Sequence, residues 1–415
     1  MKILFIYARP DLYKKPRFGF SYQMVLYATL VSYYHEISIK DYSVEPYSAQ
    51  DVVNIAESKL YDMVFVECDS YALKRSQNII NARDIFTILK DKVVTIAYGN
   101  YCCITKKDFL PADITICNNN INSIIDTING FSGINKISMI TSYDKLPHID
   151  RTLLNGIEYF KKNKINTLLQ TSMGCMNSCV FCQRKGWQRE YISHSDEYIV
   201  AELEIIKKQG YSNIWISDEN FTYDLARSKR LLTRIIESNS HAGLNFFISS
   251  WANITKEFLD LAKKCNIKII SLGIESANKN ILNFYKKHIN IESIPNIIQY
   301  ANEIGIFTVG NFILGAPMET ETTIKETFDL IEKCCFDQIN IKTLDYMIGS
   351  EMYESLPNSL KFDDHIFASK ENGLTSFSID DLVIIKEDFK KKYYKNHQQK
   401  LSEKIQKFGH PYIKF

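Results

Sequence analysis

The residues best suited to chemistry in this chain are Cys175, Cys179 and Cys182, which stand in the run Gly174-Cys175-Met176-Asn177-Ser178-Cys179-Val180-Phe181-Cys182. Three thiolates from one short loop leave a tetrahedral zinc site one ligand short, but they can hold three irons of a 4Fe-4S cluster and leave the fourth iron open. Ten cysteines scattered at random over 415 residues would produce this Cys-x3-Cys-x2-Cys spacing in roughly 0.006 of such chains. Coincidence is a poor explanation. The rival reading is a structural zinc site completed by a distant fourth ligand.

A reactive loop needs a rigid frame, and the pattern around it supplies one. Short apolar runs at 167–171, 213–216, 245–249, 268–273, 307–314 and 338–343 alternate with amphipathic stretches at 197–209, 225–238, 256–264, 291–304 and 322–335. Six strands so spaced predict a partial (β/α)6 barrel of the TIM type over 165–360, with the cysteine loop after its first strand on the carboxyl face, where barrels carry their chemistry. Residues 1–135 alternate in the same way and predict a doubly wound, Rossmann-like α/β domain. Its strand ends fall at Ala8-Arg9, Glu67-Cys68-Asp69 and Tyr98 to Cys103. A connecting segment covers 136–164. The region 361–415 reads as helical and basic, with nine Lys against five Asp or Glu from Asp380 to Phe415 and Tyr393 and Tyr394 interleaved. That run suits a solvated helix face, or a grip on an acidic peptide or RNA.

Composition bounds the rest. Lys and Arg number 50 against 48 Asp and Glu, so the body lacks the strong field of a polyanion binder, and nucleic acid is not an expected partner. No run reaches the roughly 18 apolar residues of a membrane span, and Ile3 to Ala8 reads as a buried strand rather than a signal peptide, which together predict a cytoplasmic protein without a membrane partner. The other cysteines sort by position. Cys265, Cys334 and Cys335 end helices that lead into barrel strands, where core packing is expected. Cys68, Cys102 and Cys103 lie on the carboxyl edge of the first sheet, and Cys117 has no assigned role.

The triplet, with Phe181 before its last cysteine, resembles the cluster loop of the radical S-adenosylmethionine (SAM) superfamily, in the style of the subgroup that carries an N-terminal cobalamin-binding-type domain. The resemblance runs on over roughly residues 165 to 360. Trp215 to Phe221 is similar to the subgroup's second-strand motif, which implies that Asp218 and Glu219 contact the methionine amino group. Ser271 to Ser276 resembles its fourth-strand motif and implies that Glu275 and Ser276 approach ribose and methionine. Lys287, after Ile281-Leu282, resembles a basic residue that meets the methionine carboxylate. Gly310 to Thr320 resembles the fifth-strand segment that lies against adenine, which brings in Gly310, Phe312, Leu314 and Gly315, and Ile348 to Ser350 with Tyr353 resembles the close of the core.

The implied cofactors are a 4Fe-4S cluster and SAM, and the implied chemistry is reductive cleavage of SAM to a 5′-deoxyadenosyl radical that takes hydrogen from an unactivated carbon of a small-molecule or peptide substrate. An electron donor such as flavodoxin or ferredoxin is the implied protein partner. Cobalamin stays open. The chain has no Asp-x-His-x-x-Gly, and Tyr98 and Tyr101 flank the position where the subgroup often carries paired glycines, which favours a domain that kept the fold without the cofactor. Three fates of the substrate radical are then available: cobalamin-dependent methylation, rearrangement, or epimerisation with Cys102 or Cys103 as hydrogen donor. A second cluster on Cys68, Cys102 and Cys103 serving sulfur transfer to RNA is disfavoured by the adjacency of Cys102 and Cys103. The non-enzymatic alternative is a zinc-stabilised α/β binding module.

Overall fold

The structure is a computed structural model that describes residues 1–8, 20–68, 77–105, 111–118, 120–132, 137–154, 167–186 and 190–409. Arg9 and Asp69 lie outside the described residues, as do residues 136 and 155–164 of the connecting segment.

The first unit is built on β1 (Lys2–Tyr7), α1 (Tyr22–Ser32), β2 (Glu36–Asp41), α2 (Ala49–Ser58), β3 (Met63–Glu67), α3 (Gln77–Leu89), β4 (Val94–Tyr98), α4 (Asn100–Thr105), β5 (Ile114–Thr115) and α5 (Ile121–Ser132). Its five strands are parallel in the order β2-β1-β3-β4-β5. Strand β3, Met-Val-Phe-Val-Glu, is buried along its whole length, as expected of a parallel strand covered by helices on both faces. The order reverses between β1 and β3, and in such sheets ligands sit beyond the carboxyl ends at that point.

The second unit contains β6 (Thr167–Leu169), β7 (Ser172–Met173), β8 (Ile192–Ser193), α6 (Asp196–Lys208), β9 (Asn213–Ile216), α7 (Leu225–Glu237), β10 (Asn245–Trp251), α8 (Lys256–Lys264), β11 (Ile267–Glu275), α9 (Lys279–Phe284), α10 (Ile294–Glu303), β12 (Phe307–Leu314), α11 (Glu321–Cys334) and β13 (Gln338–Thr343). Six parallel strands run β6-β9-β10-β11-β12-β13, one edge to the other in chain order, giving the partial barrel the periodicity predicts. Helix starts are set by side-chain caps: Ser195 accepts from Tyr198 N, Asp224 from Arg227 N and Thr255 from Phe258 N. The first strand stops at Leu169, shorter than the apolar run, and the chain turns into the antiparallel pair β7–β8. That pair brackets the cysteine loop at both ends.

After β13 come β14 (Asp345–Met347), α12 (Glu351–Glu354), β15 (His365–Phe367) and α13 (Ile379–Phe408). Helix α13 starts in a capping box in which Ser378 and Asp381 satisfy each other's backbone N–H. One face of it packs across the barrel, and the rest is solvated, as a solvated helix face requires. Phe389 stacks on Phe328 at 3.8 Å, the Tyr393 hydroxyl donates to Phe336 O (2.6 Å), and Ile339 N donates to the Tyr394 hydroxyl (3.0 Å). Lys404 donates to Asp337 (2.6 Å), Asn302 (2.6 Å) and Ile306 O (2.8 Å). Leu401 and Ile405 close the lower lumen over Phe247, Ile269, Phe307 and Val309. The two tyrosines and Lys404 are therefore structural, which corrects the reading of this run as a grip on peptide or RNA.

Candidate active site

The loop is anchored before its first cysteine. Asp218, just past β9 and buried, accepts from Thr171 N (2.7 Å), Thr171 Oγ1 (2.5 Å), Ser172 N (3.1 Å) and Ser172 Oγ (2.6 Å). Arg227 adds bonds to Thr171 Oγ1 (3.1 Å) and Thr171 O (2.8 Å). Burial pushes the Asp218 carboxyl upward, and bonds from Ser172 and Thr171 hold it back. Glu219 then receives Gly174 N (2.8 Å), with Arg184 3.7 Å from its other oxygen. The far half of the loop rests on the end of α9, where Val180 N donates to Tyr285 O (3.2 Å), and on the segment after the barrel, where Met352 N donates to Val180 O (3.0 Å) and Gln183 to Ile348 O (3.1 Å). Phe181 meets Tyr285 edge-on at 5.2 Å.

Cys175, Cys179 and Cys182 border one cavity of about 610 Å³ at the carboxyl ends of the strands. Burial pushes the Cys179 thiol up to about 12, with Lys287 pulling the other way. Among the described residues no three His, Cys, Asp or Glu side chains converge on a single ion position. A mononuclear zinc site requires such convergence, whereas in a 4Fe-4S cluster each thiolate takes its own iron. The donor set fits the cluster.

Glu219, Glu275, Lys287 and Phe312 border the same cavity, and so does Phe181. Lys287 Nζ lies 2.8 Å from Glu275 Oε1 and 4.6 Å from the centroid of the Trp251 ring. Gly273 lies beneath this pair: a Cβ there would sit 2.7 Å from Glu275 Oε1 and 2.9 Å from Lys287 Nζ. The floor is a polar ladder of inward-facing side chains in which Asn340 donates to Asn311 (3.0 Å) and Asn311 to Ser271 (2.8 Å). Trp251, Ser249, Ser271 and Asn311 all border the cavity. The sequence reading passes over them, although alternation along already recognised strands marks each as inward-facing.

Other residues that the resemblance brings to SAM take structural positions. Asp218 is engaged by Thr171 and Ser172. The Ser276 hydroxyl pairs with Thr327 (3.3 Å) and accepts from Asn278 N (3.1 Å), away from the cavity. Gly310 lies where a Cβ would meet Phe312 at 2.8 Å, on the outer face of β12. Leu314 is core, and Gly315 N donates to buried Glu319 (2.6 Å). These are corrections of side-chain placement, and the implied approach of the backbone at 310–315 to adenine is untouched by them; along β12 adjacent side chains point to opposite faces.

Cys102 and Cys103 need the same correction. Cys102 packs with Cys68, Ala97 and Tyr101 in an apolar cluster, and burial pushes the Cys103 thiol up to about 12. Neither borders a described cavity, which removes the geometric support for a hydrogen donor or a second cluster there. The carboxyl edge of β4 is filled by its own side chains. The Tyr98 ring lies among Phe5, Tyr27 and Phe65, its hydroxyl and that of Ser21 donate to buried Glu67 (3.4 and 2.6 Å), and a Cβ at Gly99 would lie 2.6 Å from Cys68 O. Side chains thus fill the described part of this edge. A separate cavity of about 530 Å³ opens between α1, the start of α5 and the loop region, and Glu219 borders it as well.

Residues 169–331 match the family described as the radical SAM superfamily. The chain carries a radical SAM domain. The cofactors of that superfamily are a 4Fe-4S cluster and SAM. An uncharacterised methyltransferase of Pyrococcus horikoshii is 28% identical over 225 residues, covering 53% of this chain and 47% of that protein. The solved structure of TsrM from Kitasatospora setae, a radical SAM methyltransferase with cobalamin and cluster bound, has a TM-score of 0.72 at 14% identity and covers 85% of this chain and 73% of TsrM. OxsB, a cobalamin-dependent radical SAM enzyme, has a TM-score of 0.64 at 16% identity, over 86% and 55% of the two chains. This radical SAM chain thus shares the two-unit fold of the cobalamin-associated subgroup and spans about half the length of the curated relatives it matches. Among its described residues no helix is long and apolar enough to cross a membrane.

Proposed function

We propose that the chain cleaves SAM reductively and directs the resulting adenosyl radical at an unactivated carbon of a small-molecule or peptide substrate. One observation carries this reading: the three thiols and the Glu275–Lys287 pair border a single cavity over a polar floor. Cys175, Cys179 and Cys182 would hold the 4Fe-4S cluster, which when bound supplies the electron for the cleavage. Lys287 would receive the methionine carboxylate, Glu219 the ammonium group and Glu275 the ribose hydroxyls. Ser249, Ser271 and Asn311 offer hydrogen bonds from below, and Phe181 and Trp251 exclude water from the reacting end. A flavodoxin or ferredoxin would deliver the electron.

Anaerobic reconstitution should load about four irons per chain, and dithionite with SAM should yield 5′-deoxyadenosine. The variant with all three cysteines changed to Ala should lose both. Retention of iron by that variant, or one zinc per chain with no iron in the anaerobically purified protein, would sink the assignment.

A second reading, cobalamin-dependent methyl transfer, is favoured by the names of the relative and neighbours, while the filled edge at Tyr98 opposes it. Corrin absorbance in anaerobically purified protein separates the two, and its absence would leave rearrangement or another fate of the substrate radical.

A further inference from the structure

One wall of the cavity is built by the end of β13 and by α13. Lys342 follows inward-facing Asn340 by two residues, so it stands on the same face one layer nearer the mouth. Lys386 comes from the second turn of α13, and its ammonium donates to Thr343 Oγ1 at 2.6 Å. Both lysines border the cavity.

Among the described residues no carboxylate lies within ion-pair distance of either lysine. The other carboxylates of this cavity have partners of their own: Glu275 with Lys287 (2.8 Å), Glu219 with Gly174 N and Arg184, and Asp345 with His365 (2.8 Å) through one oxygen, its second oxygen being buried without a hydrogen-bond partner among the described residues. Lys342 is exposed and Lys386 half-buried; desolvation lowers the Lys386 pKa, with Lys390 acting in the same direction and Glu387 against it. An anion held between the two would meet both ammonium groups. The cation assigned to the cosubstrate, Lys287, is paired with Glu275, and the Lys342 and Lys386 pair is left for a different anion.

We propose that Lys342 and Lys386 bind an anionic group of the substrate, a phosphate or a carboxylate, and so place the carbon to be attacked between that wall and the cluster. The proposal rests on reading this cavity as the radical site. Two ammonium groups act as point charges without the fixed fork of arginine, and so they suit either anion.

The test uses the reconstituted full chain with saturating SAM, titrated calorimetrically with inorganic pyrophosphate and, separately, with glutarate. At least one should bind saturably, with tighter binding of pyrophosphate assigning a phosphate and tighter binding of glutarate a carboxylate. The double variant K342Q/K386Q should lose affinity at least tenfold, and K342R/K386R should restore most of it, with circular dichroism confirming that both are folded. Absence of binding by both anions overturns the proposal, as does equal binding by the Gln variant or competition between the anion and SAM. Failure of the wild-type protein to form 5′-deoxyadenosine would instead count against the radical reading, and the anion titration would still decide the role of the lysines.

Discussion

At Gly273 one absent carbon makes room for the ion pair of the site. A Cβ there cannot coexist with Glu275 Oε1 at 2.7 Å and Lys287 Nζ at 2.9 Å, so Gly273→Ala should push the pair off the strand. The barrel fold should survive, because the Cβ would project into the cavity rather than the core. SAM affinity, measured by equilibrium dialysis on the reconstituted protein, should fall about tenfold, or ~1.4 kcal/mol. Unchanged affinity would mean that Glu275 and Lys287 do not touch the cosubstrate. At this scale the three cysteines were legible because their spacing lies within one loop. Lys342 could have been found by extending strand alternation, whereas Lys386 carries no local sign that its helix returns to the cavity.

Between the units, single elements hold the site in register. Arg151, fully buried, joins Glu202 on α6 (2.8 Å), Thr167 Oγ1 (2.8 Å) and Leu168 O (2.9 Å), and so fixes the start of β6. Arg151→Ala would leave the buried Glu202 carboxylate with His148 alone (2.8 Å), and urea unfolding should show a loss of about 3 kcal/mol. Beside it, His194 is stacked between Tyr143 (3.9 Å) and Tyr198 (3.8 Å). Burial pushes its pKa down to about 4 from 6.5, against the pull of Asp144. The unfolded chain therefore binds a proton between about pH 6.5 and 4 that the folded chain refuses, so stability falls as pH drops through that window. His194→Phe keeps the stack and removes the titration. Relative to this variant the wild-type protein should lose about 2–3 kcal/mol from pH 7 to pH 4, and parallel pH profiles would refute the assignment.

The whole molecule shares one apolar core. Phe5 and Tyr98 of the first sheet, Ile137 to Leu154 of the connection and Ile214 and Ile248 of the barrel belong to one continuous cluster. The units also touch where Gly349 packs on Ile104, since a Cβ at Gly349 would lie 2.8 Å from Ile104 Cγ2. Thermal unfolding followed by near-ultraviolet circular dichroism and by calorimetry should therefore show one transition, and two separated transitions would show that the units fold independently. Helix α13 belongs to this scale as well: it fills the lower lumen through Leu401 and Ile405 and supplies Lys386 to the upper cavity. One helix thus couples the base of the barrel to its reactive end.

By itself the sequence determined the two sheets, the parallel order of the barrel strands and the cysteine loop, because hydrophobic period and short-range spacing are local properties. Local pattern also placed Glu275 and Lys287 close together in the chain. Only the tertiary structure decided which neighbours in each motif face the cavity, that Asp218 and Ser276 serve the frame, and that Cys102 and Cys103 are core. It alone brought Lys386 to Lys342 across 44 positions of sequence. The physical reason is that facing and partnership depend on strand register and on where a distant helix lands, and both are settled by packing over the whole core.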